Sequence, residues 1–279
     1  MTKSDYRKPE VETCLSVMVE LISILGAFRD NIAVVGGWIP YFLCGEKGKK
    51  HVGSLDIDIA FDFRNISEES YKTILQLLED HGYEEGEQPF IFLRRIKTNQ
   101  GIMEVEIDLV AGEYGGTGGS HRTQKIQDVR ARKARGCDLV FNNFTYIEIE
   151  AKMPDGAENS VKIKASQILP FLVMKGMAIW ERYKEKDAYD IYFVIKNYEG
   201  GIQKLKGKIK PFLGNKLVRE GLEKIKAKFE DVNSVGSVWI ANFLEIEDEE
   251  DREMIMRDAF ESVNEFLDFL QIKPFKNKE

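Results

Sequence analysis

Cysteine is scarce in this chain. The three present, Cys14, Cys44 and Cys137, are odd in number, widely spaced and free of any C-x-x-C pair. That argues against a disulfide framework and against a thiolate zinc site, and the three are expected to be reduced and buried. Histidine is equally sparse. His51, His81 and His121 offer no H-x-x-x-H spacing, so a transition-metal centre is not expected. Long apolar runs are missing as well: the longest, residues 168–180, is interrupted by Pro170 and Lys175 and is too short to cross a bilayer. Residues 1–10 are polar and carry no signal-peptide pattern. A cytoplasmic protein with no membrane partner is the expectation, and no internal repeat is evident.

An excess of positive charge is lacking too. Against 40 lysines and arginines stand 47 acids, a net charge of −7, which argues against a surface coated for nucleic acid. The charge is uneven, however. Six cations (Arg122, Lys125, Arg130, Arg132, Lys133, Arg135) fall within residues 122–135, and nine within residues 204–228, while residues 245–253 are almost wholly acidic. Local basic stretches can seat phosphates even on an acidic protein, although solvated helix faces have the same composition.

What is present is a globular composition, 43% hydrophobic and 31% charged, over 279 residues. That length suggests two domains, placed at residues 1–165 and 166–279. The first reads as α/β. A helix is expected over residues 11–28, a β-branched strand over 31–35, and a glycine turn at Gly36-Gly37 leading into a helix from Trp38. A loop over residues 45–51, with Lys47, Lys49 and Lys50, follows. Ser67 reads as the cap of a helix closing at Gly82. Strands are expected over 90–96 and 102–110, and a hairpin over 137–151 turning at Asn142-Asn143, with one more strand over 161–165. Residues 111–121, rich in glycine, fit neither helix nor strand, and Pro154-Asp155-Gly156 reads as a boundary connector. Beyond it the periodicity is helical over 167–184, 186–198, 213–229 and 251–270.

The most informative stretch is residues 34–62. In a strand, alternate side chains share a face, so Asp56, Asp58 and Asp62 point one way and Leu55, Ile57, Ile59 and Phe61 the other. Asp56 and Asp58 then lie roughly 7 Å apart at Cα, within reach of a shared divalent cation. On the later strand Glu104, Glu106 and Asp108 alternate with Val105, Ile107 and Leu109, which supplies a third acid. Carboxylates with no histidine or cysteine beside them suit hard cations such as Mg²⁺ or Mn²⁺. Two such ions can clamp the attacking and leaving oxygens of a phosphoryl-type displacement. A strand that ends in Gly-Gly at a helix start can present backbone N–H groups to an anion.

The combination Val35-Gly36-Gly37-Trp38, then Gly53-Ser54-Leu55-Asp56-Ile57-Asp58, with Asp108 as the later acid and Glu106 its second choice, resembles the nucleotidyltransferase superfamily of polymerase-β-like fold. The stretch from Leu172 through Lys175 to Ala178, and Arg182 through Lys186-Asp187 to Asp190-Ile191, narrows the likeness to the AbiEii group of toxins, relatives of the MenT toxins. The resemblance covers residues 32–195. It departs at Trp38, where the family turn often has a small or hydroxyl residue.

The resemblance implies a mixed sheet with flanking helices, followed by a helical C-terminal region. It implies that Asp56, Asp58 and Asp108 hold Mg²⁺ or Mn²⁺ and that Asp108 completes the site activating an acceptor hydroxyl. Gly36, Gly37 and Ser54 would hold a nucleoside triphosphate. Lys175 would neutralise phosphate charge, and Asp190 would orient Lys175 or the acceptor. Lys175 has plainer readings as a snorkelling lysine or as half of a structural pair with Asp187 or Asp190. The implied acceptor is RNA, such as a tRNA end, in a toxin that has a cognate antitoxin, with the basic stretches as footprint. Two other readings stand beside it: an aminoglycoside-type small-molecule transferase, and a catalytically silent binding module.

Overall fold

The computed structural model describes residues 1–44, 50–62, 68–99, 101–112, 123–126 and 129–276. It divides into two compact units, one of residues 7–39 and 53–167 and the other of residues 1–6, 40–52 and 168–279. The break after residue 167 lies two residues from the expected one. The expectation of two contiguous domains is corrected, because residues 1–6 and 40–52 pack with the C-terminal helices. Ser4 bonds to Glu245, the Tyr6 ring meets Phe243 edge-on, and His51 reaches Asp190.

The first unit is a mixed sheet with helices. Its helix α1, Lys8–Ile24, buries Val11, Cys14, Met18, Leu21 and Ile22, a helical stripe laid against the sheet. Helix α2, Ile39–Leu43, carries the chain out of this unit, and α3, Glu68–Asp80, lies in the connection beyond strand two. The strands are β1 (Ile32–Val35), β2 (Asp56–Phe61), β3 (Tyr83–Glu85), β4 (Ile91–Thr98), β5 (Gly101–Ala111), β6 (Thr123–Ile126), β7 (Val129–Lys133), β8 (Phe144–Lys152) and β9 (Glu158–Ser166). They run in the order β3-β4-β5-β2-β1-β9-β8, with β7 on β5 and β6 on β7. The central pairs β2/β5 and β1/β9 are parallel, and the hairpins β4/β5 and β8/β9 are antiparallel. All four residues of β1 are buried, as a β-branched central strand requires.

The hairpin expected over 137–151 is not formed. Residues Cys137–Asn142 make a 3₁₀ turn, and β8 pairs instead with β9, from Phe144 opposite Ser166 to Lys152 opposite Glu158. Pro154-Asp155-Gly156 is therefore the hairpin turn and not a domain connector: Gly156 has φ +93°, and Asp155 accepts from the Ala157 amide at 2.9 Å. Strands β3, β6 and β7 were not expected, and the last two arise from the basic stretch. The Ser67 cap, Lys47 and Lys49 of the 45–51 loop, and the glycine-rich residues 113–121 lie outside the described residues.

The second unit is helical: α4 (Ile168–Glu181), α5 (Glu185–Asn197), α6 (Gly201–Ile209), α7 (Lys216–Lys228), α8 (Val235–Phe243) and α9 (Glu249–Phe269). Helix α4 is buried almost all round. It packs on α7 through two glycines: a Cβ on Gly176 would stand 2.0 Å from the Gly221 carbonyl oxygen, so the backbones themselves are in contact. Asn215 and Asp248 cap α7 and α9 by accepting their first free amides. No helix of the described residues is long and apolar enough to cross a membrane.

Candidate active site

The pleat of β2 separates its side chains as the sequence alternation requires. Ile57 and Ile59 are fully buried, while Asp56 and Asp58 are half-buried on the other face. Parallel pairing with β5 sets Asp56 opposite Glu106 and Asp58 opposite Asp108. Three expected acids are thereby brought onto one face of adjacent strands. Antiparallel pairing with β1 sets Val35 opposite Asp58, so the glycine turn begins beside that carboxylate. Gly36 has φ +70°, and a Cβ there would lie 1.8 Å from Asp58 Oδ2. Only glycine fits the turn, on both counts.

Trp38 explains its own departure from the expected small residue. Its indole is fully buried and donates from Nε1 to the Asp56 carbonyl at 2.9 Å, which pins the first residue of β2. Residues Gly36–Trp38 form a single 3₁₀ turn in which Gly37 is buried, and the following α2 has five residues. Ser54 is buried, and its hydroxyl donates to Asp56 Oδ1.

Among the described residues no group of three or more histidine, cysteine or acidic side chains is arranged to hold a metal ion. The acids instead meet Arg132 of β7, a residue that counted in the sequence only as part of a basic stretch. Its Nη2 lies 2.6 Å from Asp108 Oδ2 and 3.5 Å from Asp58 Oδ1. Asp108 Oδ1 and Arg132 Nε are buried and make no hydrogen bond among the described residues. Burial pushes the Asp108 carboxyl up to about 8, and Asp58, Glu106 and Asp56 push the same way against Arg132. A donor set made wholly of carboxylate oxygens, with Asp108 Oδ1 unbonded among the described residues, has the chemistry that suits a hard divalent cation.

Lys175 and Asp190 belong to the helical unit, where they form a second cluster. Lys175 Nζ lies 2.6 Å from Asp187 Oδ1 and 2.7 Å from Asp190 Oδ2, so both candidate carboxylates pair with it. Arg182 Nε donates to Asp187 Oδ2 at 2.8 Å, and Lys186 Nζ lies 2.9 Å from Asp190 Oδ1. Both aspartates are fully buried, so Lys175 does not snorkel. Burial alone would raise both carboxyls, yet Lys175 and the other cations win: Asp187 falls to about 2 and Asp190 well below the usual range. Lys175 is likewise raised by the two carboxylates in spite of its burial.

His51, unassigned in the sequence, completes this cluster. It stacks on Tyr189 with centroids 5.3 Å apart, and its Nε2 lies 2.9 Å from Asp190 Oδ1. Burial lowers its pKa to about 4 even beside Asp190, so the ring is neutral at pH 7 and donates that bond from Nε2–H. No local motif announced His51, since it lies 139 residues from Asp190.

The second basic stretch is not a uniform surface stripe. Lys206 and Lys224 are buried and pair with Glu265 and Glu220, and Lys226 pairs with Asp268. Side chains 122–130 of the first stretch lie outside the described residues.

A scan against models of known protein families gives no match, and a search of curated proteins gives none.

Proposed function

We propose that this protein is a metal-dependent nucleotidyltransferase that moves a nucleotide from a nucleoside triphosphate to an acceptor hydroxyl. The observation that carries the reading is the pairing of Asp58 with Asp108 across β2 and β5, with Gly36 packed against Asp58 where no other residue fits. Asp56, Asp58 and Asp108 would hold Mg²⁺ or Mn²⁺, which supplies Lewis-acid stabilisation of charge on the phosphates. In the transfer the acceptor oxygen bonds to the α-phosphorus and pyrophosphate leaves with the electrons of the broken bond. The hydroxyl proton would pass to Asp108, which stands opposite Asp58 on the neighbouring strand. Gly36, Gly37 and Ser54 would line the triphosphate site. The resemblance gives Lys175 and Asp190 the roles of phosphate counter-charge and its orienting partner, and their 2.7 Å pair supports the second of these.

RNA is the proposed acceptor, in a cytoplasmic toxin restrained by an antitoxin. The lysines of residues 204–228 that are committed internally favour a small molecule as the second reading. Incubation of the protein with Mg²⁺ or Mn²⁺, each labelled nucleoside triphosphate in turn, and total cellular RNA tests the first. Labelled RNA is expected, lost in Asp58→Asn without a fall in melting temperature, because removing one of several like charges does not weaken the unloaded fold. Absence of transfer from all four nucleotides would overturn it.

A further inference from the structure

Arg132 sits where the proposed function needs a cation of another kind. Its guanidinium spans Asp108 and Asp58, at 2.6 and 3.5 Å, yet its Nε is unbonded among the described residues and its side chain is about one-third exposed. A guanidinium satisfied by its cage would use its fork in full, as paired arginine and carboxylate ordinarily do. Asp108 Oδ1 is also left without a hydrogen bond among the described residues. The contact is thus a partial one on both sides. A divalent cation held by Asp58 and Asp108 would place two positive charges beside the guanidinium that already contacts both carboxylates, so the two cations repel and each weakens the other's hold. Strand β7 is paired to β5 in register, Arg132 opposite Val110, so the backbone carrying this side chain is fixed beside the acids whatever the side chain does.

We infer that Arg132 is a stand-in counter-ion that a divalent cation displaces from Asp58 and Asp108, and that the freed guanidinium then binds the phosphates of the nucleotide. The inference rests on the proposed function and adds to it a phosphate ligand and an order of binding, cation before nucleotide. It has an unusual signature. Removing Arg132 strengthens cation binding and weakens nucleotide binding, whereas a residue that only supports the fold would weaken both.

The test uses the 279-residue chain and Mn²⁺ followed by electron paramagnetic resonance of the free ion, which needs no turnover. Arg132→Gln is expected to bind Mn²⁺ about tenfold more tightly than the parent, the scale of one charge-assisted contact. With Mn²⁺ saturating, equilibrium dialysis of ATP, GTP, CTP and UTP is expected to show the best-bound of the four held about tenfold less tightly by the variant. Equal or weaker Mn²⁺ binding by Arg132→Gln overturns the displacement, and unchanged nucleotide binding overturns the phosphate contact. If neither protein binds Mn²⁺, the functional reading falls with the inference; if the parent binds it and the variant matches it, the inference falls alone. Should Arg132→Gln fail to fold, Arg132→Lys carries the comparison, since an ammonium lacks the two-headed fork, with a gain of about threefold expected for Mn²⁺.

Discussion

In the sheet unit, Asp56, Asp58 and Asp108 share one strand face with Arg132; in the helical unit, Asp187 and Asp190 are enclosed by Lys175, Lys186, Arg182 and a neutral His51. Asp108, Asp187 and Asp190 are buried, and desolvation pushes each of the three toward its neutral form. The outcomes are opposite. Asp108 is raised to about 8, and Asp187 is lowered to about 2. Burial raises all three carboxyls; Lys175, Arg182 and Lys186 outweigh it at Asp187 and Asp190, whereas Arg132 does not at Asp108. In the helical cluster each buried carboxylate meets two cations, Lys175 and Arg182 at Asp187 and Lys175 and Lys186 at Asp190. In the strand cluster Asp108 keeps a raised carboxyl in spite of Arg132, and its Oδ1 makes no hydrogen bond among the described residues.

The contrast can be broken most forcefully at Lys175. Lys175→Met leaves two buried carboxylates short of their shared cation and is expected to destabilise the protein by about 3–5 kcal/mol, read from denaturant unfolding. A loss below about 1 kcal/mol would mean that the cluster is not paired as described. On the strand side the sensitive position is steric. Gly36→Ala places a Cβ on Asp58 and forces a residue with a side chain into φ +70°, so a loss of about 2–3 kcal/mol is expected, together with transfer activity.

Acidity sharpens the contrast in both directions. His51 and Asp187 have folded pKa values below their unfolded ones, so their stabilisation is present above the unfolded values. It is lost as pH falls, from about 6.5 to about 4 for His51 and then from 3.8 toward about 2 for Asp187. Asp108 is raised, so its contribution is present below pH 3.8 and is lost as pH rises toward about 8. Melting temperatures in a chelator across this range are expected to show a His51→Gln variant with a shallower acid limb and an Asp108→Asn variant with a flatter neutral limb. The smallest effect is expected at Trp38. Trp38→Phe removes one donor to the Asp56 carbonyl, worth about 1 kcal/mol, and lowers transfer by loosening β2.

How much of this was legible in the sequence depends on the range of the interactions. The glycine turn and the alternation of Asp56 and Asp58 against Ile57 and Ile59 are local, and the structure displays both. Periodicity gave α1, α4, α5, α7 and α9 with small shifts at their ends. It missed α6 and α8 and misplaced a hairpin, because Asn142-Asn143 and Pro154-Asp155-Gly156 are both good turn sequences. Only the β8/β9 register chooses between them. Asp187 and Asp190 could both be named as candidate partners of Lys175, but that it meets both at once could not, since which carboxylate a lysine meets depends on how two helices pack.

The sequence by itself determined which side chains share a strand face and where glycine must stand, because a two-residue repeat and the backbone's steric limits are local facts. Tertiary structure alone decided that Asp108 lies opposite Asp58, that Arg132 reaches both, and that His51 serves Asp190. Those contacts depend on parallel strand pairing and chain return over long separations, and no spacing in the sequence encodes them.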